Sequence, residues 1–186
     1  MRSNLKHIIV IIMGILSITI FTLQFFIDND FLTSLGITLI TTFFQGFVRP
    51  YTGLIINNIY HNRMNYNRWW FKEKRFEKTL YKILCVKKWK NKMPTYDPSA
   101  FNIYKHSLEE VIGATCQAEI VHELMLIESL LPLLLIIPFG EPIVFIVTTL
   151  ICVLIECVFI VMQRYNRPRL VKIYNMKKKI NKNNNF

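Results

Sequence analysis

The sequence is poor in charge, in carboxylates and in ordered cysteine patterns. Charged residues make up only 19% of the chain against 52% hydrophobic residues, which excludes an ordinary soluble domain. The four cysteines follow neither zinc-ribbon nor disulfide-scaffold spacing, so neither kind of site is expected to hold the fold together. A Gly-x-Ser-x-Gly nucleophile motif is also missing, which disfavours a serine acyl-enzyme.

Four long apolar segments dominate what is present. A membrane span needs about 20 residues, and the candidates are residues 8–27, 31–48, 120–137 and 143–162. The first has no small-x-small cleavage pattern after it and is interpreted as an uncleaved anchor. The second stops at Arg49-Pro50 and either spans or re-enters. Between the third and fourth lies a Pro/Gly-rich turn, residues 138–142, which predicts a helical hairpin.

The positions of the basic residues predict the topology. All 23 lie in the N-terminal stretch, in residues 49–119 or in residues 163–186. By the positive-inside rule both termini and the central segment are cytoplasmic. The charges form blocks between uncharged runs, which favours an anionic membrane surface over nucleic acid, so no nucleic-acid partner is expected.

These observations predict an all-α membrane protein, a single domain over residues 1–186 with about four transmembrane helices. Residues 49–119 would form a cytoplasmic, interfacial segment between the second and third helices, because tryptophans alternate there with lysines and arginines. Pro168 is expected to end the fourth helix. In the basic tail 163–186, the low-complexity stretch 177–185 is expected to be disordered until it meets anionic lipid.

Two polar clusters at the ends of apolar segments are the candidate site. Glu119 and His122 are three residues apart, so on a helix they share a face, where His122 could act as a base that Glu119 orients. The octapeptide Gln163–Leu170 follows the fourth segment; its three arginines suit phosphate, and Asn166 suits sugar hydroxyls. A hairpin would bring the two clusters to the same depth at the cytoplasmic face.

Other interpretations apply to the charged residues in and near these clusters. Arginines after a span commonly serve as anchors. Glu128 and Glu156, costly at membrane depth, have either a substrate role or a hydrogen bond to each other. A metal site at Glu119, His122 and Glu123 is not expected, because no further ligand cluster accompanies them.

The string Ala118-Glu119-Ile120-Val121-His122, the apolar hairpin and the octapeptide together resemble the glycosyl-4,4′-diaponeurosporenoate acyltransferases. The likeness extends over about residues 69–175 and includes the central motifs 76–78 and 86–90. The chain departs from the family's pattern at three positions. Gln117 stands where arginine is expected, Glu123 where an aromatic residue is usual, and Glu156 where a small amide residue is usual.

The resemblance implies a bacterial cell-membrane O-acyltransferase that acylates a sugar hydroxyl of a glycosyl carotenoid or related glycolipid. Glu119 and His122 would be catalytic, without a bound cofactor or metal, and the acyl donor would be acyl-CoA or an acyl carrier protein. Partners would be membrane lipids, the glycolipid acceptor and the donor. The residues expected to contact substrate or donor are Gln163, Arg164, Tyr165, Asn166, Arg167, Arg169, Glu77, Trp89 and Glu156. The competing interpretation is a non-catalytic membrane assembly or immunity-type protein whose basic face binds lipid head groups.

Overall fold

The computed structural model describes residues 2–24, 26–27, 29–95 and 97–183, and within these ranges the chain is helical and contains no strand. The α-helices are α1 (Arg2–Gln24), α2 (Asp30–Tyr60), α3 (Glu77–Ile83), α4 (Val86–Trp89), α5 (Leu108–Glu128), α6 (Ile136–Phe139) and α7 (Pro142–Asn183). Short 3-10 turns occur at Trp69–Phe71, Lys90–Lys92, Ser99–Phe101 and Leu131–Leu135.

Three stretches of the described chain are long and apolar enough to cross a membrane: Asp30–Tyr60, Leu108–Phe139 and Pro142–Asn183. The first predicted span forms α1, whose apolar part Ile8–Gln24 is shorter than these three. The all-α membrane fold is therefore confirmed. The count of four spans and the orientation of the termini stay predictions.

Two prolines lie inside long helices. The helix α2 continues through Pro50, where the second apolar segment stops, to Tyr60. The helix α7 continues through Pro168 to Asn183, so the expected helix end at Pro168 was wrong. A proline removes one backbone hydrogen bond, a local loss that long flanking helical turns can outweigh. Beyond Pro168, the hydroxyl of Tyr174 donates to Glu109 of α5 at 2.9 Å. This hydrogen bond links the part of α7 that follows the proline to α5.

The expected disorder of the basic tail was wrong for residues 177–183, which belong to α7. Residues 184–185 lie outside the described residues. The third apolar segment is not one continuous helix, because α5 ends at Glu128 and a 3-10 turn that carries Pro132 near its start follows. The turn predicted at residues 138–142 is confirmed. Gly140 and Glu141 adopt positive φ angles of 69° and 49° and separate α6 from α7.

The chain divides into two compact units. Unit 1 comprises Met1–Leu54 and Leu124–Glu156, and unit 2 comprises Ile55–Glu123 and Cys157–Phe186. The single domain over the whole chain stays a prediction.

Unit 1 buries polar side chains among its apolar helices. Arg49 of α2 forms an ion pair with the buried Glu156 of α7, with Nη2 and Oε1 2.6 Å apart. The hydroxyl of Thr52 donates to Oε1 of Glu128 at 2.6 Å. Polar pairing of this kind is how charged groups are tolerated within apolar segments.

Unit 2 is built around a small aromatic core. Tyr81, Val86 and Tyr165 are buried against one another, and Trp89 and Val161 pack on them. The rings of Tyr81 and Tyr165 meet edge to face, with centroids 5.3 Å apart. This core joins α3 and α4 of the central segment to the part of α7 that carries the octapeptide.

Candidate active site

The carboxylate of Glu119 is the centre of the candidate site. It is fully buried on α5 and forms ion pairs with two arginines of α7. Oε1 lies 2.5 Å from Nη1 of Arg164, and Oε2 is paired with Nη2 of Arg167. Because these arginines are three residues apart, they project from one face of α7. The prediction that the two sequence clusters lie together is confirmed.

Arg167 is enclosed on every side. Its side chain is 2% exposed. The guanidinium donates to the hydroxyl and carbonyl oxygens of Thr115 at 3.2 and 3.1 Å and to the carbonyl of Phe71 at 3.2 Å, and it lies 4.9 Å from the centre of the Phe71 ring. These bonds and the Glu119 carboxylate satisfy a charge that would otherwise be costly to bury.

Arg164 connects Glu119 to a second buried carboxylate. Its Nε and Nη2 lie 2.8 and 2.6 Å from Oε1 of Glu77, at the start of α3. It also donates to the carbonyls of Trp70 and Lys72, at 3.2 and 3.3 Å. The central segment is therefore fastened to α7 by backbone as well as side-chain bonds.

The hydroxyl of Tyr81 completes this network by donating to Oε2 of Glu77 at 2.8 Å. Burial raises the pKa of Tyr81 well above its usual value, and the hydrogen bond to Glu77 and the charge of that carboxylate raise it further. The phenol thus stays protonated and remains a donor. Two carboxylates face two guanidiniums, which makes the network close to neutral.

His122 lies one turn beyond Glu119 on α5 and is half-buried. Its ring stacks on that of Phe159 of α7, with centroids 4.6 Å apart and planes 4° from parallel. The next residue, Glu123, accepts from Nε1 of Trp70 at 3.0 and 3.1 Å. The stack fixes the plane of the imidazole. Whether Glu119 orients that ring, as expected, stays a prediction.

The remaining octapeptide residues divide between core and surface. Gln163 and Tyr165 are buried, whereas Arg169 is exposed and lies over the Tyr165 ring, with Cζ 3.5 Å from its centre. Asn166 accepts through Oδ1 from Nζ of Lys90 at 3.0 Å. Lys90 lies within the motif 86–90 that the sequence pointed to, but its contact with Asn166 was not predicted.

The contacts of Trp89 in the structure are with other parts of the fold. Its indole N–H donates to the carbonyl of Leu84 at 2.8 Å, and the ring packs on the Tyr81 core. A substrate contact for Trp89 stays a prediction, as does donor binding by Arg164 and Arg167. Other contributors to the site, Thr115, Trp70 and Tyr81, were not identified from sequence, because their roles depend on long-range packing.

A comparison with protein families gives a match to the model of glycosyl-4,4′-diaponeurosporenoate acyltransferase over residues 67–176. The chain belongs to this acyltransferase family. The matched range contains both carboxylates of the Glu119 network, His122 and the whole octapeptide. Comparisons with curated proteins and with solved structures gave no match.

The three residues that were expected to depart from the acyltransferase family's pattern each have a partner in the structure. Gln117 accepts from the backbone N–H of Asn62 at 2.7 Å and donates to Oδ1 of Asn57 at 3.1 Å, so it secures the end of α2. Glu123 binds the Trp70 indole, and Glu156 pairs with Arg49. All three side chains thus have structural contacts of their own.

Glu156 lies in unit 1, whereas the other predicted site residues lie in unit 2. The structure gives Glu156 and Glu128 separate partners, Arg49 and Thr52. Among the described residues, no group of three or more His, Cys, Asp or Glu side chains is placed to hold a metal ion.

Proposed function

We propose that this family member is an integral-membrane O-acyltransferase that moves a fatty acyl group onto a sugar hydroxyl of a lipid-linked glycoside. The observation that carries the proposal is the convergence of Glu119, one helical turn from His122, with Arg164 and Arg167 in one buried network inside the matched range. The family description supports a glycosyl carotenoid as the acceptor. The three long apolar helices support a membrane location.

The proposed reaction is direct transfer, with His122 as general base. Its imidazole takes the proton of the acceptor hydroxyl while that oxygen attacks the carbonyl carbon of an acyl thioester. The carbon–sulfur bond then breaks, and His122 returns the proton to the departing thiolate. An imidazole suits both steps, because its ordinary pKa of about 6.5 lies near working pH.

Glu119 and the arginines would act as positioning residues in this scheme. Glu119 fixes the turn of α5 that carries His122, because its two oxygens are held by α7. Phe159 holds the plane of the imidazole from the same helix. The donor would be acyl-CoA or an acyl carrier protein, and the reaction would occur at the cytoplasmic leaflet of a bacterial membrane, where the basic segments are expected.

The test compares purified wild-type protein with His122→Ala, using mass spectrometry to detect the acylated glycolipid. Loss of a general base lowers the rate by about 10²–10⁴-fold, so product should fall at least about 100-fold. His106→Ala is the matched control, because His106 is exposed and its nearest acid, Glu110, is 3.8 Å away. That variant should retain the wild-type rate.

Product formed at the wild-type rate by folded His122→Ala protein would remove His122 from the mechanism. Lipid extracts from cells with and without the gene provide the broader test. An unchanged set of acylated glycolipids would instead support the non-catalytic interpretation.

A further inference from the structure

Two cations in unit 2 lie against one aromatic ring. Nζ of Lys90 lies 5.6 Å from the centre of the Tyr165 ring, and the guanidinium of Arg169 lies over the same ring. Among the described side chains, no carboxylate lies within ion-pair distance of either cation. The other two octapeptide arginines are neutralised by Glu119 and Glu77.

The arrangement places like charges together at a cost. The pKa of Lys90 is lowered by partial burial and by the positive charge of Arg169. A nearby anion would oppose the repulsion and restore the charged form of the amine. The protein thus holds a site whose electrostatics improve when an anion binds.

The donors around Tyr165 are of the types that bind phosphate oxygens. Arg169 uses one of its five N–H donors on the Tyr165 carbonyl. Lys90 has three N–H donors and gives one to Oδ1 of Asn166, which leaves the Asn166 Nδ2 group as a further donor. A forked guanidinium beside a point-charge ammonium is a common way to hold phosphate oxygens.

The ring that carries these cations is itself immobilised. Tyr165 is 7% exposed and packs edge to face on Tyr81, within the core that also contains Val86. Arg169 is exposed, so a ligand can reach it from solvent. A rigid base with an accessible charged surface is what a preorganised ligand site requires.

We propose that Lys90, Asn166 and Arg169 form a phosphate-binding site. Its ligand is the phosphate-bearing part of an acyl thioester donor or the phosphate of a lipid head group. Assignment to the donor rests on the proposed function, whereas the phosphate site does not. Contacts run from Tyr165 through Tyr81 and Glu77 to Arg164, which joins the phosphate site to the Glu119 network.

The experiment measures two binding reactions of the full-length protein. The first probe is coenzyme A, titrated against protein in detergent. The second probe is a vesicle of phosphatidylglycerol, with a vesicle of phosphatidylcholine for comparison. Each vesicle is incubated with protein that has been transferred from detergent into nanodiscs. The site variants are Lys90→Gln and Arg169→Gln, and Arg169→Lys tests the need for a forked donor.

The matched controls, Lys88→Gln and Arg75→Gln, each remove one exposed positive charge outside the site. Site variants should weaken binding of one probe at least tenfold, and controls should change it less than twofold. Arg169→Lys should recover part of the loss. If Arg169→Gln fails to fold, competition between inorganic pyrophosphate and coenzyme A on wild-type protein replaces it, and pyrophosphate should displace the bound probe.

Loss of coenzyme A binding identifies the donor as the source of the phosphate, and loss confined to phosphatidylglycerol identifies the head group. Unchanged binding of both probes, or equal losses in site and control variants, overturns the phosphate site. Acyl transfer is assayed separately. Wild-type protein that binds coenzyme A through this site but transfers no acyl group overturns the proposed function and leaves the phosphate site standing.

Discussion

Replacing Glu119 with glutamine is the most direct perturbation of the buried network. The change keeps the size of the side chain but removes its charge. Arg167 then loses the carboxylate that compensates it while remaining 2% exposed, whereas Arg164 keeps Glu77. A glutamine oxygen can accept from one arginine, but its amide N–H₂ would face the other, donor against donor.

The expected cost follows from this geometry. Removing one partner of a buried ion pair destabilises a protein by about 3–5 kcal/mol. A typical domain has a total free energy of unfolding of about 5–15 kcal/mol, so Glu119→Gln should consume a large share of it. Adding Arg167→Met should recover much of the loss, because an apolar side chain needs no counter-charge.

The assay is tryptophan fluorescence during denaturation in detergent micelles. All three tryptophans, Trp69, Trp70 and Trp89, lie in unit 2, so the signal reports on the unit that contains Glu119. Glu73→Gln is the matched control. Its partner Lys78 is 3.8 Å away and 73% exposed, so the loss should be about 1 kcal/mol or less.

A change of less than about 1 kcal/mol for Glu119→Gln would refute the reasoning, since a buried uncompensated guanidinium cannot be that inexpensive. The same conclusion would follow if Arg167→Met lowered stability further in the Glu119→Gln background.

Two further substitutions test the packing of each unit. Gly113→Ala would place a Cβ 2.3 Å from the carbonyl oxygen of Asn62, a backbone atom, and should cost about 1–3 kcal/mol by tryptophan fluorescence. Gly53→Ala meets nothing within 4 Å and should be tolerated. Because Gly53 lies in unit 1 and the tryptophans lie in unit 2, the two variants are compared by the thermal midpoint of the detergent-solubilised protein, and equal effects would contradict the close approach. Arg49→Met should lower the free energy of unfolding by about 3–5 kcal/mol, measured as a fall in the thermal midpoint of the detergent-solubilised protein. Adding Glu156→Leu should restore most of this loss. Additive losses in the double variant would show that the pair is not coupled.

The meeting of the two site clusters could be predicted because it depends on local signals. A Pro/Gly turn between two apolar runs specifies an antiparallel return, and nearly equal run lengths match the depths of their ends. Residues 140 and 141 do turn with positive φ angles, and Glu119 does meet Arg164. Patterns of composition and spacing were sufficient for this part of the site.

The partners of individual charges could not be predicted in the same way. Arg164 and Arg167 have the chemistry to bind phosphate. In the structure they pair instead with Glu77 and Glu119, which packing brings to them from segments far away in the sequence. The continuation of α7 through Pro168 has the same origin. Local propensity argues for an end there, and contacts on both sides of the proline outweigh it.

The ion pairs of Glu119 also set an order of assembly. Arg164 is 45 residues after Glu119, so a ribosome that adds about 5–20 residues per second makes the carboxylate about 2–9 s before its first guanidinium partner on α7. During that interval α5 carries a carboxylate that α7 does not yet neutralise. Unit 2 therefore closes only when the octapeptide has been synthesised, and the turn of α7 that carries Arg164 and Arg167 completes the folded arrangement of the earlier segments.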